Sequence, residues 1–594
     1  MVRNVLNPPT SALYKRTIIS CDAMKLFFTA ILQALDINST TSTGAKSIEK
    51  YIHLLFILAI VLICYLPFLN KAYNIDDPLF LWSAQHIQND PLDPYGFNIN
   101  WYRQEMPMSF VTKNPPLASY YIAAAAFVLG WGEAAIHFTF LFPAIAVAFG
   151  TYFFAGRFCR HPLLATLAGI LTPVFLVSSL TVMSDTLMLA FWIGAVLFWM
   201  HGADHNNSAA FIASGLLMTC AAATKYFGMM LIPLLLIYSL YRDRRIKYYL
   251  LYFLIPLVLL ALYQWRTASL YGHGLLGEAA VYSINTSVYV SLGVVSKMFI
   301  NFAFIGACLA SVLLFSTSLW PRTAVLGASV LCIVGVVYFS RVEMMDYFFL
   351  PAGSTERMIF SVQFCVWAIV GISLVILSLQ DLFHHRNADT ILLFLWTIGT
   401  MIFAGFINWS INGRSILPMI IPAGILITRK LENGITNKIP RKSSSVIIAL
   451  SFSAILSVTI TSADVNFANT ARFAAKTICY IYGGQNHTLW FQGHWGYQYY
   501  MEQLGARPID VSHQQMKPGD LIADPTTNSN LRRIPSSWVT RIDSMSILPS
   551  RYVASVDAHL GAGFYSNMFG PLPFAFGFVK PEKFTIYLFR GYDD

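Results

Sequence analysis

The sequence predicts an all-α polytopic membrane protein closed by a small extracytoplasmic α/β domain at its C-terminus. Three observations carry this. Across 594 residues the chain is 56% hydrophobic and only 11% charged, with a mean hydropathy of +0.57, far outside the range of soluble domains. Apolar runs recur at close to the ~20 residues needed to cross ~30 Å of hydrocarbon, which gives about thirteen transmembrane helices. After Thr461 the long runs stop, and charged and turn residues return among short alternating stretches.

Charge supports the same class. Lysine and arginine number 39 against 29 Asp and Glu, a formal net charge of +10. In a polytopic chain that excess belongs to basic cytoplasmic loops facing anionic membrane lipid, so no nucleic-acid partner is expected. Of the eight cysteines, Cys64, Cys220, Cys308, Cys332 and Cys365 fall inside apolar runs. No pair has metal-ligand spacing, so neither a zinc site nor a disulfide framework is implied.

In chain order, residues 1–50 interleave Lys15, Arg16, Lys25, Lys46 and Lys50 with Ser and Thr. This is not the layout of a signal peptide, and it reads as a cytoplasmic arm. Residues 51–461 form the transmembrane domain. Its first span, 51–70, is followed by a polar first extracytoplasmic loop, 71–116. The next run, 117–131, is short for a crossing and ends in Gly130-Trp131-Gly132-Glu133, so it is expected to be an interfacial helix. That choice sets the sidedness of everything after it. It places Arg157, Arg160, the basic run Arg242 to Lys247, Arg322, Arg386 and the loop 429–442 on the side of the N-terminus, as the positive-inside rule requires. The first loop, Asp185, residues 266–297 and 340–358, and the Asn412-Gly413-Arg414 turn then face outward. Later spans include 162–183, 209–224, 227–241, 298–316 and 415–428. Residues 462–594 read as the α/β domain, with strands at Thr488-Leu489-Trp490-Phe491 and Leu521-Ile522-Ala523 and a helix over 497–504.

The assigned spans contain no Asp, Glu, Lys or Arg. An ion-coupled transporter keeps ionisable residues at mid-membrane. Here Asp76, Asp77, Lys113, Asp185, Lys225, Glu278, Arg341, Glu343 and Arg414 collect at the outer ends of helices, the layout of an outer-face reaction site. A lipid or glycan transporter or flippase is the alternative reading. A non-enzymatic assembly factor is another, and would tolerate neutral residues at Asp76 and Lys113.

Several stretches carry the candidate chemistry. Asp76-Asp77-Pro78 is a helix start: Asp77, beside Pro78, is the expected cap, which leaves Asp76 free. Lys113, ahead of Asn114-Pro115-Pro116-Leu117, either snorkels to the interface or is aimed toward Asp76 by the rigid prolines. Asp185, in Met183-Ser184-Asp185-Thr186, is a helix cap or a site residue. Lys225, in Thr224-Lys225-Tyr226, anchors a helix or meets substrate. Arg414, in Asn412-Gly413-Arg414-Ser415-Ile416-Leu417-Pro418, carries the planar fork suited to bidentate phosphate binding. His487, His494 and Glu502 match no ligand spacing and are expected to be solvated or capping. Trp82, Trp101 and Tyr102 suit either sugar stacking or an interface belt.

Together these stretches resemble the GT-C glycosyltransferases, in particular the branch of protein O-mannosyltransferases and aminoarabinose transferases. The resemblance rests on the acidic pair with Leu79-Phe80 and Ala84 behind it, Lys113 before Pro115-Pro116-Leu117, the acidic residue of the second outer loop, Thr-Lys at 224–225, and a late Arg followed by Leu417-Pro418. It implies the GT-C fold and transfer of a sugar, with inversion, from a polyprenyl-phosphate donor to a hydroxyl of a lipid, glycan or protein acceptor at the outer face. It further implies Asp76 as base toward the acceptor, Lys113 and Arg414 on the donor phosphate, and Asp77, Asp185 and Lys225 as further substrate contacts. No cofactor is called for; a divalent metal is an open option, with Asp76, Asp77 and Asp185 as its candidate ligands. A bacterial inner membrane, with the C-terminal domain outside, is the expected location.

Overall fold

The computed structural model describes residues 43–289, 293–341, 354–433, 443–484, 487–513 and 515–592. Most of the N-terminal arm, Glu343, and parts of the 340–358 and 429–442 loops lie outside the described residues. Helix α1 (Thr43–Tyr65) runs into a single 3₁₀ turn at Leu66–Phe68, where Pro67 ends the regular ladder. The polar interval that follows folds as α2 (Asp77–Asn89), a hairpin pairing Asn98–Asn100 with Glu105–Pro107, and a one-turn helix, Met108–Val111. Next comes α3 (Leu117–Leu129), whose 13 residues reach only ~20 Å at 1.5 Å per residue, too short to cross hydrocarbon unaided. Its small residues Ala118, Ser119, Ala123 and Ala126 are buried against α2 and α4 (Glu133–Ala155), and Gly130, at φ 82°, stops it.

Among the described residues, eight helices are long and apolar enough to cross a membrane, nine if one bent pair counts as a single span. The sequence runs number about thirteen by the length rule, and local geometry explains the difference. The run 162–183 is broken by 66° between Pro162–Ile170 and Pro173–Ser179, because Pro173 lacks an N–H and pushes Thr172 into extended backbone. Others fold as shorter helices: α6 (Ser208–Thr224), which follows α5 (Ser184–His205), then Leu231–Asp243, Val294–Cys308 and Ile420–Asn433. Two of these are entered through 3₁₀ turns, Tyr226–Met230 and Arg414–Met419. The expected loop 266–297 holds helix α7 (Leu275–Tyr289), and α8 (Thr355–His385) is a long helix farther on.

The last long helix, α9 (Ser443–Tyr482), continues well past Thr461, so position 462 lies within it and the strands begin only at Leu489. They form a mixed five-stranded sheet in the order Arg507–Pro508, Leu489–Phe491, Leu521–Pro525, Glu582–Phe589, Val539–Ile547. The first three are parallel, with helix Trp495–Gln503 making the first crossover, and the last two pair antiparallel. Both expected strands and the expected helix are present. One sheet face shares the hydrophobic core of the helical body, while the other covers a small cluster of Trp490, Ile522, Val539 and Phe589. Between the two long antiparallel strands, residues 553–577 form a buried, tightly wound segment against α8 and α9. A Cβ at Gly570 would lie 2.0 Å from the Gly561 carbonyl carbon, so the winding requires glycine there.

Candidate active site

The start of α2 separates its two aspartates. Pro78 sits in the first turn, where its missing N–H is no loss, and Asp76 holds the N-cap position without a side-chain capping bond. Ile75, a β-branched residue, is held at φ 50°, an unfavourable conformation that the surrounding packing must enforce. It turns the Asp77 carboxylate inward. Asp77 therefore does not cap the helix as the sequence led one to expect: Oδ2 accepts the Asn74 N–H at 2.9 Å and Oδ1 accepts the Val182 N–H at 2.9 Å. The side chain is fully buried. Burial pushes its carboxyl up to about 7, against the pull of Lys71, the two backbone donors and Arg414. Asp76 keeps 32% of its side chain exposed.

Arg414 is the first residue of its 3₁₀ helix and connects the Asp76 and Asp185 loops. Its Nη2 donates to Asp76 Oδ2 at 3.2 Å, and Nη1 lies 3.7 Å from Asp185 Oδ2. Asp185, in the first turn of α5, pairs through Oδ1 with Lys225 Nζ at the end of α6. The result is a row of alternating charge, Asp76, Arg414, Asp185, Lys225, progressively more enclosed toward Asp185, whose side chain is 1% exposed. Burial works against the charge of Arg414, but Asp185 and Asp76 outweigh it and hold the guanidinium above its usual range. For Lys225, burial prevails over Asp185 and lowers the ammonium.

Lys113 belongs to a different group. Its Nζ donates to the Phe110 carbonyl at 2.8 Å, pairs with Glu278 of α7 and lies 5.2 Å over the Tyr282 ring. His273 Nε2 approaches the other Glu278 oxygen at 2.7 Å. Tyr102, at the hairpin tip, is 41% exposed. Trp101 and Trp82 pack edge to face, Trp101 itself being buried. His494 is not solvated but 2% exposed, bonded to Gln498 at 2.7 Å and packed on Trp101.

Sequence reading assigned no role to Lys71, Asp464, Ser555 and Tyr565, which form a sealed network beneath the row. Lys71 Nζ meets Asp464 Oδ2 at 2.7 Å, with both side chains at most 1% exposed. Ser555 Oγ donates to Asp464 Oδ1 at 2.8 Å, and Tyr565 Oη to Oδ2 at 2.9 Å. The available signal was positional: Lys71 directly follows the first apolar run, and Asp464 lies just past the end of the last, Thr461. Among the described residues no group of three or more His, Cys, Asp or Glu is placed to hold a metal ion. Asp76 and Asp185 are turned to cations, and Asp77 to backbone donors.

The arrangement offers an open carboxylate beside a guanidinium with an ammonium behind it, which suits an anionic ligand and a proton acceptor at one point. Residues 113–267, which include Lys113, Asp185 and Lys225, match the family of dolichyl-phosphate-mannose-protein mannosyltransferases. No curated protein matches the chain. Among solved structures, the chain is similar to ArnT from Cupriavidus metallidurans bound to undecaprenyl phosphate, with 11% identity, TM-score 0.42, and coverage of 82% of this chain and 94% of that one. It is similar to the oligosaccharyltransferase AglB from Archaeoglobus fulgidus, in complex with an inhibitory peptide and a dolichol-phosphate, with 14% identity, TM-score 0.45, and coverage of 78% and 64%. A third is the S. cerevisiae protein O-mannosyltransferase Pmt1-Pmt2 complex bound to the sugar donor, with 14% identity, TM-score 0.28, and coverage of 43% and 34%. The family match is to residues 113–267 of a chain of membrane-spanning helices, and over that stretch the chain is similar to those mannosyltransferases.

Proposed function

We propose that this protein transfers a sugar from a polyprenyl-phosphate donor to an acceptor hydroxyl at the outer face of a bacterial inner membrane, with inversion at the anomeric carbon. The observation that carries the reading is the contact between Asp76 and Arg414: a carboxylate one-third exposed, 3.2 Å from a guanidinium only 12% exposed. Arg414 is the group to receive the donor phosphate, with Lys225 adding positive charge across Asp185. When the guanidinium turns to phosphate, Asp76 is released to take the proton of the attacking hydroxyl. The hydroxyl oxygen then bonds to the anomeric carbon as the bond to phosphate oxygen breaks, and the departing phosphate carries the charge toward Arg414. Lys113, in its separate group with Glu278, is a second phosphate contact at the entrance. The acceptor is a lipid, glycan or protein hydroxyl, and residues 462–594 lie on the outer side with the first loop.

The test uses the purified full-length chain with polyprenyl-phosphate sugars as donors. Asp76→Asn should lower the transfer rate by ~10²-fold or more, because it removes the proton acceptor while keeping size and hydrogen bonding. Wild-type rates in Asp76→Asn would place the chemistry elsewhere. The product's anomeric configuration, read by NMR, separates inversion from retention.

A further inference from the structure

The turn that presents Arg414 is held by the C-terminal domain rather than by the helices alone. Gly413 N–H donates to the Phe564 carbonyl at 2.7 Å, Ile411 N–H donates to Asn567 Oδ1 at 2.9 Å, and Asn567 N–H donates to the Ile411 carbonyl at 2.8 Å. A Cβ at Gly413 would lie 2.7 Å from the Phe564 ring, so glycine is what lets the two segments close.

The next residue, Tyr565, sets its ring under the guanidinium, 5.6 Å from centroid to Cζ, within cation–π range. That ring is fixed at its far end: the hydroxyl donates to Asp464 Oδ2, the same oxygen that takes Lys71, while Ser555 fills Oδ1. Rotating the ring away would break a buried hydrogen bond in a network with no slack. The competing account is that Tyr565 is an ordinary core aromatic. Packing alone does not explain why its face meets a cation and its hydroxyl meets a carboxylate already neutralised by Lys71.

We propose that Tyr565 is a positioning residue for Arg414, so that segment 553–577 of the C-terminal domain aims the anion-binding guanidinium of the membrane domain. The inference rests on the reading of Arg414 as the donor-phosphate contact. Its consequence is that donor affinity depends on a domain that contributes no charged side chain to the row itself.

The experiment titrates undecaprenyl phosphate, without sugar, against the full chain in detergent micelles, with a thermal unfolding midpoint recorded for every variant. Arg414→Gln should weaken the probe by about tenfold or more. Tyr565→Leu should weaken it by about three- to tenfold, and by nothing further in an Arg414→Gln background. That vanishing effect is the mark of action through Arg414, since a purely structural loss would appear equally in both backgrounds. Tyr565→Phe, which keeps the ring, should retain most of the affinity. If Tyr565→Leu does not yield folded protein, Gly413→Ala makes the same test by pushing the turn off Phe564, and should also lose its effect when Arg414 is absent. Equal weakening by Tyr565→Leu with and without Arg414 overturns the positioning role and leaves the phosphate reading standing. Unchanged affinity in Arg414→Gln overturns both.

Discussion

Two ionic groups meet at Tyr565, and they are finished to different degrees. In the lower one, Lys71 and Asp464 are sealed from solvent, and both carboxylate oxygens are engaged, by Lys71 and Tyr565 on one side and Ser555 on the other. The upper one is open and incomplete: Arg414 Nε and Asp185 Oδ2 are buried without a hydrogen-bond partner among the described residues, and Asp76 is a cap that caps nothing. Native proteins seldom leave buried polar atoms unmatched. A group whose valences are all filled has nothing to offer a ligand. One with donors and acceptors to spare, at a part-open mouth, does, and this is why the row from Asp76 to Lys225 reads as the site and the Lys71 network as its foundation.

The largest effect should come from breaking the foundation. Asp464→Asn leaves the Lys71 ammonium buried without a counter-charge, and Lys71→Met strands the carboxylate; removing one partner of such a pair typically costs about 3–5 kcal/mol. Either variant should show a sharply lowered unfolding midpoint. Arg414→Gln, by contrast, should lower the midpoint less while weakening the phosphate probe, because Asp185 keeps Lys225 and Asp76 is one-third exposed. Were both substitutions to destabilise equally, the distinction between foundation and site would collapse.

Much of this was legible in the sequence, for physical reasons that differ by element. Apolar runs report burial in lipid directly, so the helical body and the charges at its span ends could be read without a structure. Helix breaks were harder, because Pro173 and Pro418 look alike in sequence, yet one bends a span by 66° and the other sits inside a 3₁₀ turn. Asp76, Asp185, Lys225 and Arg414 converge because each lies at a span end on one side, a parity argument. Lys113 meets the same criterion but joins Glu278, since parity fixes depth and not lateral position. Tyr565 gave no signal at all. Its role depends on where the buried segment 553–577 docks, which no local pattern records.

Asp77 yields a smaller prediction of stability with a definite sign. Its carboxyl is at about 7 in the folded chain against an ordinary value of 3.8, so the folded state binds that proton more tightly than the unfolded state. The contribution to stability is therefore fully present below about pH 4 and is lost as pH rises toward about 7. Asp77→Asn removes this slope. It also leaves either the Asn74 or the Val182 N–H facing an amide NH₂, at about 1–3 kcal/mol. The variant should thus be less stable at low pH and flatter between about pH 4 and about pH 7. A slope equal to wild type would show that Asp77 titrates at its ordinary value in spite of burial.

The finest distinction concerns Lys113, whose ammonium already has a counter-ion. Both members of its pair with Glu278 are part exposed, at 21% and 23% of their side chains, so the pair contributes at most about 1 kcal/mol to stability. Neutralising either residue should therefore leave the unfolding midpoint nearly unchanged. Binding is where the two diverge. If Lys113 meets donor phosphate at the entrance, the Glu278 carboxylate competes with that phosphate for the same ammonium. Lys113→Met should then weaken undecaprenyl phosphate by a few-fold, and Glu278→Gln should strengthen it by about the same factor, each effect shrinking as salt is raised. An anchoring lysine predicts no change from either substitution. Opposite signs from two neighbouring residues cannot arise from a general loss of structure, so the pair of titrations decides whether the entrance group belongs to the site or only to the membrane interface.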